Sequence, residues 1–132
     1  MILKSTALRP TTQVNKEGIM KLIIAYIQPD KLNPLKEVLY QNDIHRFSVV
    51  DAFGHSEEDG FLETYRGVEM EVDLMKKIRV EIAVNNDFCE KVVGCIIDAG
   101  KTGSIGDGKI FVIPIEETYR IRTGESGEDA IG

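Results

Sequence analysis

Short apolar runs alternate along the chain with segments whose apolar positions recur at helical spacing. Lys21-Leu-Ile-Ile-Ala-Tyr-Ile-Gln28 is a continuous apolar run of strand length, closed by Pro29. Such a run predicts a strand buried on both faces. Asn33-Pro34 predicts a helix start, with Asn as N-cap and Pro at the first helical position. Leu35, Val38 and Leu39 form its buried stripe. A second strand is expected over His45 to Phe53, ending at Gly54. Residues 54–75 lack a clean period and read as a long loop. Ile78, Val80, Ile82 and Val84 then alternate strictly with polar or small residues, the clearest strand in the sequence. Asp87-x-x-Glu90 is a plausible capping box for a helix carrying Phe88, Val92, Cys95, Ile96 and Ala99 on one side. Gly100 and Gly103 end that helix, and Ile110-Phe-Val-Ile113 is a last short strand stopped by Pro114. The tail from Glu116 to Gly132 is polar apart from Tyr119-Arg-Ile121 and is expected on the surface.

Strand, helix, strand, long loop, strand, helix, strand is a doubled split βαβ. It predicts an α+β, ferredoxin-like domain, with two helices on one face of an antiparallel sheet. The other face is uncovered within one chain. The first strand is too apolar to leave wet, so that face predicts assembly into an oligomer.

The bulk numbers narrow the class. A length of 132 residues suits one domain. With 42% hydrophobic residues, 7% aromatic and no Trp, the core should be aliphatic. A formal net charge of -6 argues against general nucleic-acid binding, which needs a basic footprint. No apolar run approaches the roughly 20 residues of a membrane span. Cys89 and Cys95 lie about 240° apart around a helix, so they point to buried free thiols of a reducing cytosol, not to a disulfide. Residues 1–19 read as a flexible N-terminal extension without a secretory leader's apolar stretch, and Met20 as an alternative start.

The most informative string is Gly103-Ser-Ile-Gly106-Asp-Gly108-Lys109. Its glycines permit tight turns that bring several N–H groups to one point, a nest that favours an anion. Lys109 adds a full charge. Arg120 and Arg122 alternate as on a strand, so they should share one side, and guanidinium groups suit bidentate phosphate contacts. The spacing also fits the first part of a phosphate-binding GxxxxGK loop. However, Ile110 stands where Ser or Thr would hold magnesium, and the lysine opens a strand, not a helix. The residues by themselves reach "anion-binding loop"; a plain glycine-rich turn with solvated basic neighbours stays open.

Lys101-Thr-Gly-Ser-Ile-Gly-Asp-Gly-Lys-Ile-Phe-Val112 resembles the B-loop of PII signalling proteins, and Arg120-Ile-Arg-Thr-Gly-Glu125 resembles their C-loop. Leu62-Glu-Thr-Tyr-Arg-Gly-Val-Glu-Met70 looks like their T-loop segment. The likeness spans about Met20 to Ile131 and gives a PII-like domain over 20–132, with the T-loop at about 54–75, the B-loop at about 101–109 and the C-loop at about 116–132. It implies a non-enzymatic, cytoplasmic homotrimer that binds ATP or ADP, with AMP as a further candidate and Mg2+ as a companion ion, in clefts between subunits. Ile105, Gly106, Asp107, Gly108 and Lys109 would cradle phosphates, with Gly54 beside them at the T-loop's start. Arg120 and Arg122 would reach in from the neighbour. Ser48 and Ala83 would lie near adenine, Glu81 would face the cleft, and Lys77 would sit at the T-loop root where the family's effector carboxylate is held. The regulated partner would be an ammonium transporter or a metabolic enzyme, in nitrogen metabolism.

The long loop departs from the family pattern. Glu57 replaces an arginine that helps hold phosphate, and Glu58 replaces the glutamine that binds magnesium and helps place 2-oxoglutarate. A carboxylate at 58 still suits magnesium but repels the two carboxylates of 2-oxoglutarate. An alternative input is therefore adenylate charge or inorganic carbon, read as AMP, ADP or bicarbonate. Met70 and Val68 stand where some relatives are uridylylated or phosphorylated, and neither modification is expected. From Gly54 to Asp73 seven acids face one base, Arg66, giving the loop a net charge of -6. Glu57, Tyr65, Arg66 and Met70 are the expected partner-binding positions. The loop should be disordered alone and order against a basic surface on its target.

Overall fold

The computed structural model describes residues 20–55, 61–65, 68–72 and 74–131, with backbone alone for 61–65 and 68–72. The expected extension at 1–19 lies outside the described residues. In chain order the elements are β1 (Met20–Ile27), a 3-10 turn (Pro29–Lys31), α1 (Leu32–Gln41), β2 (Ser48–His55), β3 (Phe61–Tyr65), β4 (Val68–Val72), β5 (Leu74–Asn85), α2 (Asn86–Gly100), β6 (Gly108–Pro114) and α3 (Glu128–Ile131). Four strands form one sheet in the order β2-β5-β1-β6, and every neighbouring pair is antiparallel. This is the ferredoxin-like plan that the element order predicts.

The core lies between the sheet and the two longer helices. Ile23, Ala25 and Ile27 of β1 meet Ile78, Val80, Ile82 and Val84 of β5 on one sheet face. Leu35 and Leu39 of α1 and Val92, Cys95 and Ile96 of α2 close over them. The alternation read from Ile78 to Val84 is reproduced residue by residue. The opposite face presents Leu22, Ile24 and Tyr26 of β1 beside Arg79, Glu81 and Ala83 of β5. It is only partly shielded, and Phe111 and Ile113 on β6 and Val50 on β2 are exposed.

Several local expectations are corrected. The Pro29 turn runs directly into α1, whose N-cap is Lys31, so Asn33 lies inside the first turn without capping. Pro34 is tolerated there because first-turn N–H groups have no helical partner. Helix α2 starts at Asn86, after an extended Asn85, and makes no side-chain cap bond, so the Asp87–Glu90 box does not form. Asp87 instead sits in the first turn, where the helix dipole favours an acid. Phe88 is 52% exposed and leaves the core stripe. Cys95 is buried and Cys89 only partly so, both as free thiols, and burial pushes the Cys89 thiol up.

Strand β2 covers 48–55, two residues later at its end than expected. The stretch read as a long loop holds a hairpin, β3–β4, with Tyr65 paired to Val68. The period missed there is sequence-visible: Val68, Met70 and Val72 alternate with Glu69 and Glu71, which is strand spacing.

Candidate functional site

The glycine string forms the turn that carries α2 into β6. Gly103, Gly106 and Gly108 all adopt positive φ, at 89°, 99° and 112°. Within this turn Asp107 faces inward. Its carboxylate accepts the Thr102 N–H at 2.7 Å, the Thr102 hydroxyl at 2.6 Å and the Gly103 N–H at 2.9 Å. The Thr102 Oγ1 in turn accepts the Ser104 N–H at 3.2 Å. These bonds, the Thr102 hydroxyl first and the Thr102 N–H next, hold the Asp107 carboxyl below its ordinary value. Part of the predicted nest is thus filled by the chain's own anion, and Asp107 braces the loop. Among the described residues, the N–H groups of Ile105 and Gly106 make no hydrogen bond, the Asp107 N–H closes only a loose turn toward the Ser104 carbonyl, and Ile105 is 79% exposed. They are the donors left for an external anion.

Two side chains converge on the Gly106 carbonyl. Gln28 Nε2 donates to it at 2.6 Å, and Lys77 Nζ donates at 3.0 Å. Lys77 sits on β5 opposite Ala52, one residue pair from Phe53–Lys76 and two from Gly54–Met75. Its stem packs near Gly54, where an added β-carbon would lie 3.5 Å from Lys77 Cγ. The root of the long loop is therefore tied directly to the glycine turn. Sequence reasoning missed Gln28 and Thr102. A usable signal existed for Gln28: it follows β1 directly, and β1 ends where Ile27 pairs with Gly108.

The remaining candidates form a second group. Ser48 pairs with Glu81, and both line a hollow of about 530 Å³ with Ala83, Arg46 and Ile131. Glu81 Oε2 is 2.7 Å from Arg79 Nη2, and Arg79 Nη1 donates to the Tyr26 hydroxyl at 3.2 Å. The Glu81 carboxylate is therefore committed to Arg79. Arg79 Nε is buried without a partner among the described residues.

Arg120 and Arg122 do not lie on a strand. Residues 120–124 form a turn closed by the Gly124 N–H on the Arg120 carbonyl at 2.7 Å. Gly124 supplies its positive φ of 76°. The Arg120 guanidinium bonds the Glu125 carboxylate and, at 2.8 Å, the Asp129 carbonyl of α3. Thr123 and Glu125 exchange further bonds inside the turn. The predicted shared side of the two arginines is thus replaced by a self-braced turn, which carries α3 and Ile131 against β5.

Lys77 and Ala83 are six residues apart on β5, or roughly 20 Å at strand rise. One chain thus presents two groups, the glycine turn at one end of β5 and the Ser48–Glu81–Ala83 hollow toward the other. Glu57, Glu58 and Arg66 lie outside the described residues; Tyr65 and Met70 are placed on β3 and β4 by backbone alone. Among the described residues, no cluster of three or more His, Cys, Asp or Glu is placed to hold a metal. Among them also, no helix is long and apolar enough to cross a membrane.

Residues 20–125 match the family model described as nitrogen regulatory protein P-II. The P-II protein of Azospirillum brasilense is 46% identical over 112 residues, covering 85% of this chain and all of its own length. GlnK1 of Methanosarcina mazei is 40% identical over 114 residues, covering 85% of this chain and 97% of its own. Among solved structures, Arabidopsis thaliana PII bound to citrate superposes with a TM-score of 0.70 at 32% identity, over 86% of this chain and 92% of that one. The chain belongs to the nitrogen regulatory protein P-II family, whose members are regulatory signal transducers rather than enzymes.

Proposed function

We propose that the protein is a homotrimeric sensor that binds ATP or ADP in clefts between subunits and reports the bound state to a partner through the 54–75 loop. The partner is a transporter or enzyme of nitrogen metabolism, and the sensor works in the cytoplasm. The observation that carries this function is the Lys77 bond to the Gly106 carbonyl. It couples the loop's root to the turn whose Ile105, Gly106 and Asp107 N–H groups would take the phosphates, with Lys109 nearby. The separation of the two residue groups along β5 supports a shared cleft. The turn of one protomer would meet the Ser48–Glu81–Ala83 hollow and the Arg120–Arg122 turn of the next.

A coupling of about 1–3 kcal/mol between nucleotide and loop suffices to change partner affinity about 5–150-fold. Light scattering should give the mass of three chains, and calorimetric titration should give saturable ATP and ADP binding. No saturable binding of ATP, ADP or AMP would reject the proposal.

A second input is favoured by one observation, the acids Glu57 and Glu58 at the loop's start. They would repel 2-oxoglutarate, leaving adenylate balance or bicarbonate as the signal. Micromolar binding of 2-oxoglutarate with Mg-ATP would exclude this branch.

A further inference from the structure

We propose that Gln28 is a positioning residue for polyphosphate: it holds the Gly106–Asp107 peptide in the orientation that offers the Asp107 N–H to the ligand. The inference rests on the nucleotide-binding function proposed above and assigns to it a residue outside the glycine string.

The geometry is that of a single peptide unit. In a planar trans peptide the C=O and the following N–H point in opposite directions. No cis peptide is present among the described residues. Gln28 Nε2, at 2.6 Å, fixes the Gly106 carbonyl from one side. The Asp107 N–H must then point to the other side, across the turn of residues 104–107, where its contact with the Ser104 carbonyl falls short of a full hydrogen bond. Gly106 has a positive φ and no side chain, so the turn resists peptide rotation weakly by itself. The loose Ser104–Asp107 contact of the turn needs a donor outside it to hold the orientation.

Two donors share the task, and they differ. Lys77 carries a charge and sits at the root of the long loop, so its bond can be lost when that root moves or when an anion attracts the ammonium. Gln28 is neutral and follows β1 directly, next to the Ile27–Gly108 pair. Its amide has no net charge to draw it to an anion. Gln28 therefore keeps the donor aimed when Lys77 is engaged elsewhere.

The test is the Gln28→Met variant, which keeps length and volume but removes the side-chain amide and leaves Lys77 in place. ATP binding should weaken about three- to tenfold, the size of one lost hydrogen bond. Trimer mass and thermal midpoint should hold. In ¹H–¹⁵N spectra, the downfield shift of the Asp107 amide on ATP addition should shrink in the variant. If Gln28→Met fails to assemble, Gln28→Glu serves instead: ionised, it has no donor and draws Lys77 off the carbonyl, so it should weaken ATP at least as much. A variant that binds ATP within about twofold of the parent, with an unchanged Asp107 shift, overturns the inference. So does a lowered midpoint with unaltered affinity, which assigns Gln28 to the fold alone. A parent protein that takes up no ATP fails at the earlier step, the nucleotide-binding function itself.

Discussion

A β-carbon on Gly108 would lie 1.7 Å from the carbonyl oxygen of Tyr26, on the neighbouring strand. Gly108 also holds a φ of 112°, which side-chain-bearing residues rarely adopt. The obstacle is backbone, so no rotamer change relieves it. Gly108→Ala must separate β6 from β1 at the point where the glycine turn begins. The expected cost is roughly 2–4 kcal/mol, above ordinary surface substitutions. Urea unfolding measures it, and a loss below about 0.5 kcal/mol would show that the turn relaxes without strain.

Asp107 supplies a pH signature. Its carboxyl is held below 3.8 by the Thr102 hydroxyl, then by the Thr102 N–H, with Gly103 and Ser104 contributing less. A depressed native value means the unfolded chain takes up the proton first. The stabilisation is therefore complete above 3.8 and is lost as pH falls through the lower native value. Carbon-detected NMR titration should find Asp107 below 3.8, and Thr102→Val should move it back toward that value. A native value at or above 3.8 would mean that the brace does not form in solution.

The central strands of the sheet were legible because burial leaves a period of two. Ile78, Val80, Ile82 and Val84 announce β5, and the unbroken apolar run from Leu22 to Ile27 announces β1. Helix boundaries were less legible, because capping depends on backbone angles that residue type only biases. Asn33 has the right chemistry for a cap, yet Lys31 occupies that position because the Pro29 turn flows into the helix. The glycine string was readable as a tight turn, but not the destination of Asp107, which turns in upon Thr102. Arg120 misled for a related reason. Alternation with Arg122 resembles a strand, whereas the Gly124 turn and the bonds to Glu125 and Asp129 fold the segment on itself. Gln28 stayed hidden because its role comes from a partner 78 positions away.

Leu39 and Tyr40 are neighbours in α1 with opposite fates. Leu39 is fully buried under the sheet, and Tyr40 is 69% exposed beside His45, ring centroids 5.1 Å apart. Leu39→Ala removes packed methyl groups and leaves a cavity, at an expected cost of about 2–5 kcal/mol. Tyr40→Ala, although it deletes more atoms, should cost less than about 1 kcal/mol, since only an exposed edge contact is lost. Chemical denaturation of the two variants side by side gives the comparison. Equal losses would place α1 in a different rotational setting on the sheet.

Phe111 tests what covers the open sheet face. It lies opposite Ile24, touches the Tyr26 ring edge-on at a centroid distance of 6.5 Å, and is 48% exposed in the single chain. An isolated protomer should therefore accept a polar residue there at little cost to its own fold. In an assembly that buries this face, the same residue would place an unpaired charge in an apolar contact, which costs several kcal/mol. Phe111→Glu is expected to keep its circular dichroism and to reduce the mass in light scattering from three chains to one. If the proposed nucleotide cleft lies between two protomers, ATP affinity should fall with it. A Phe111→Glu protein that remains trimeric would show that subunits meet through some other surface than the one β1 and β6 leave open.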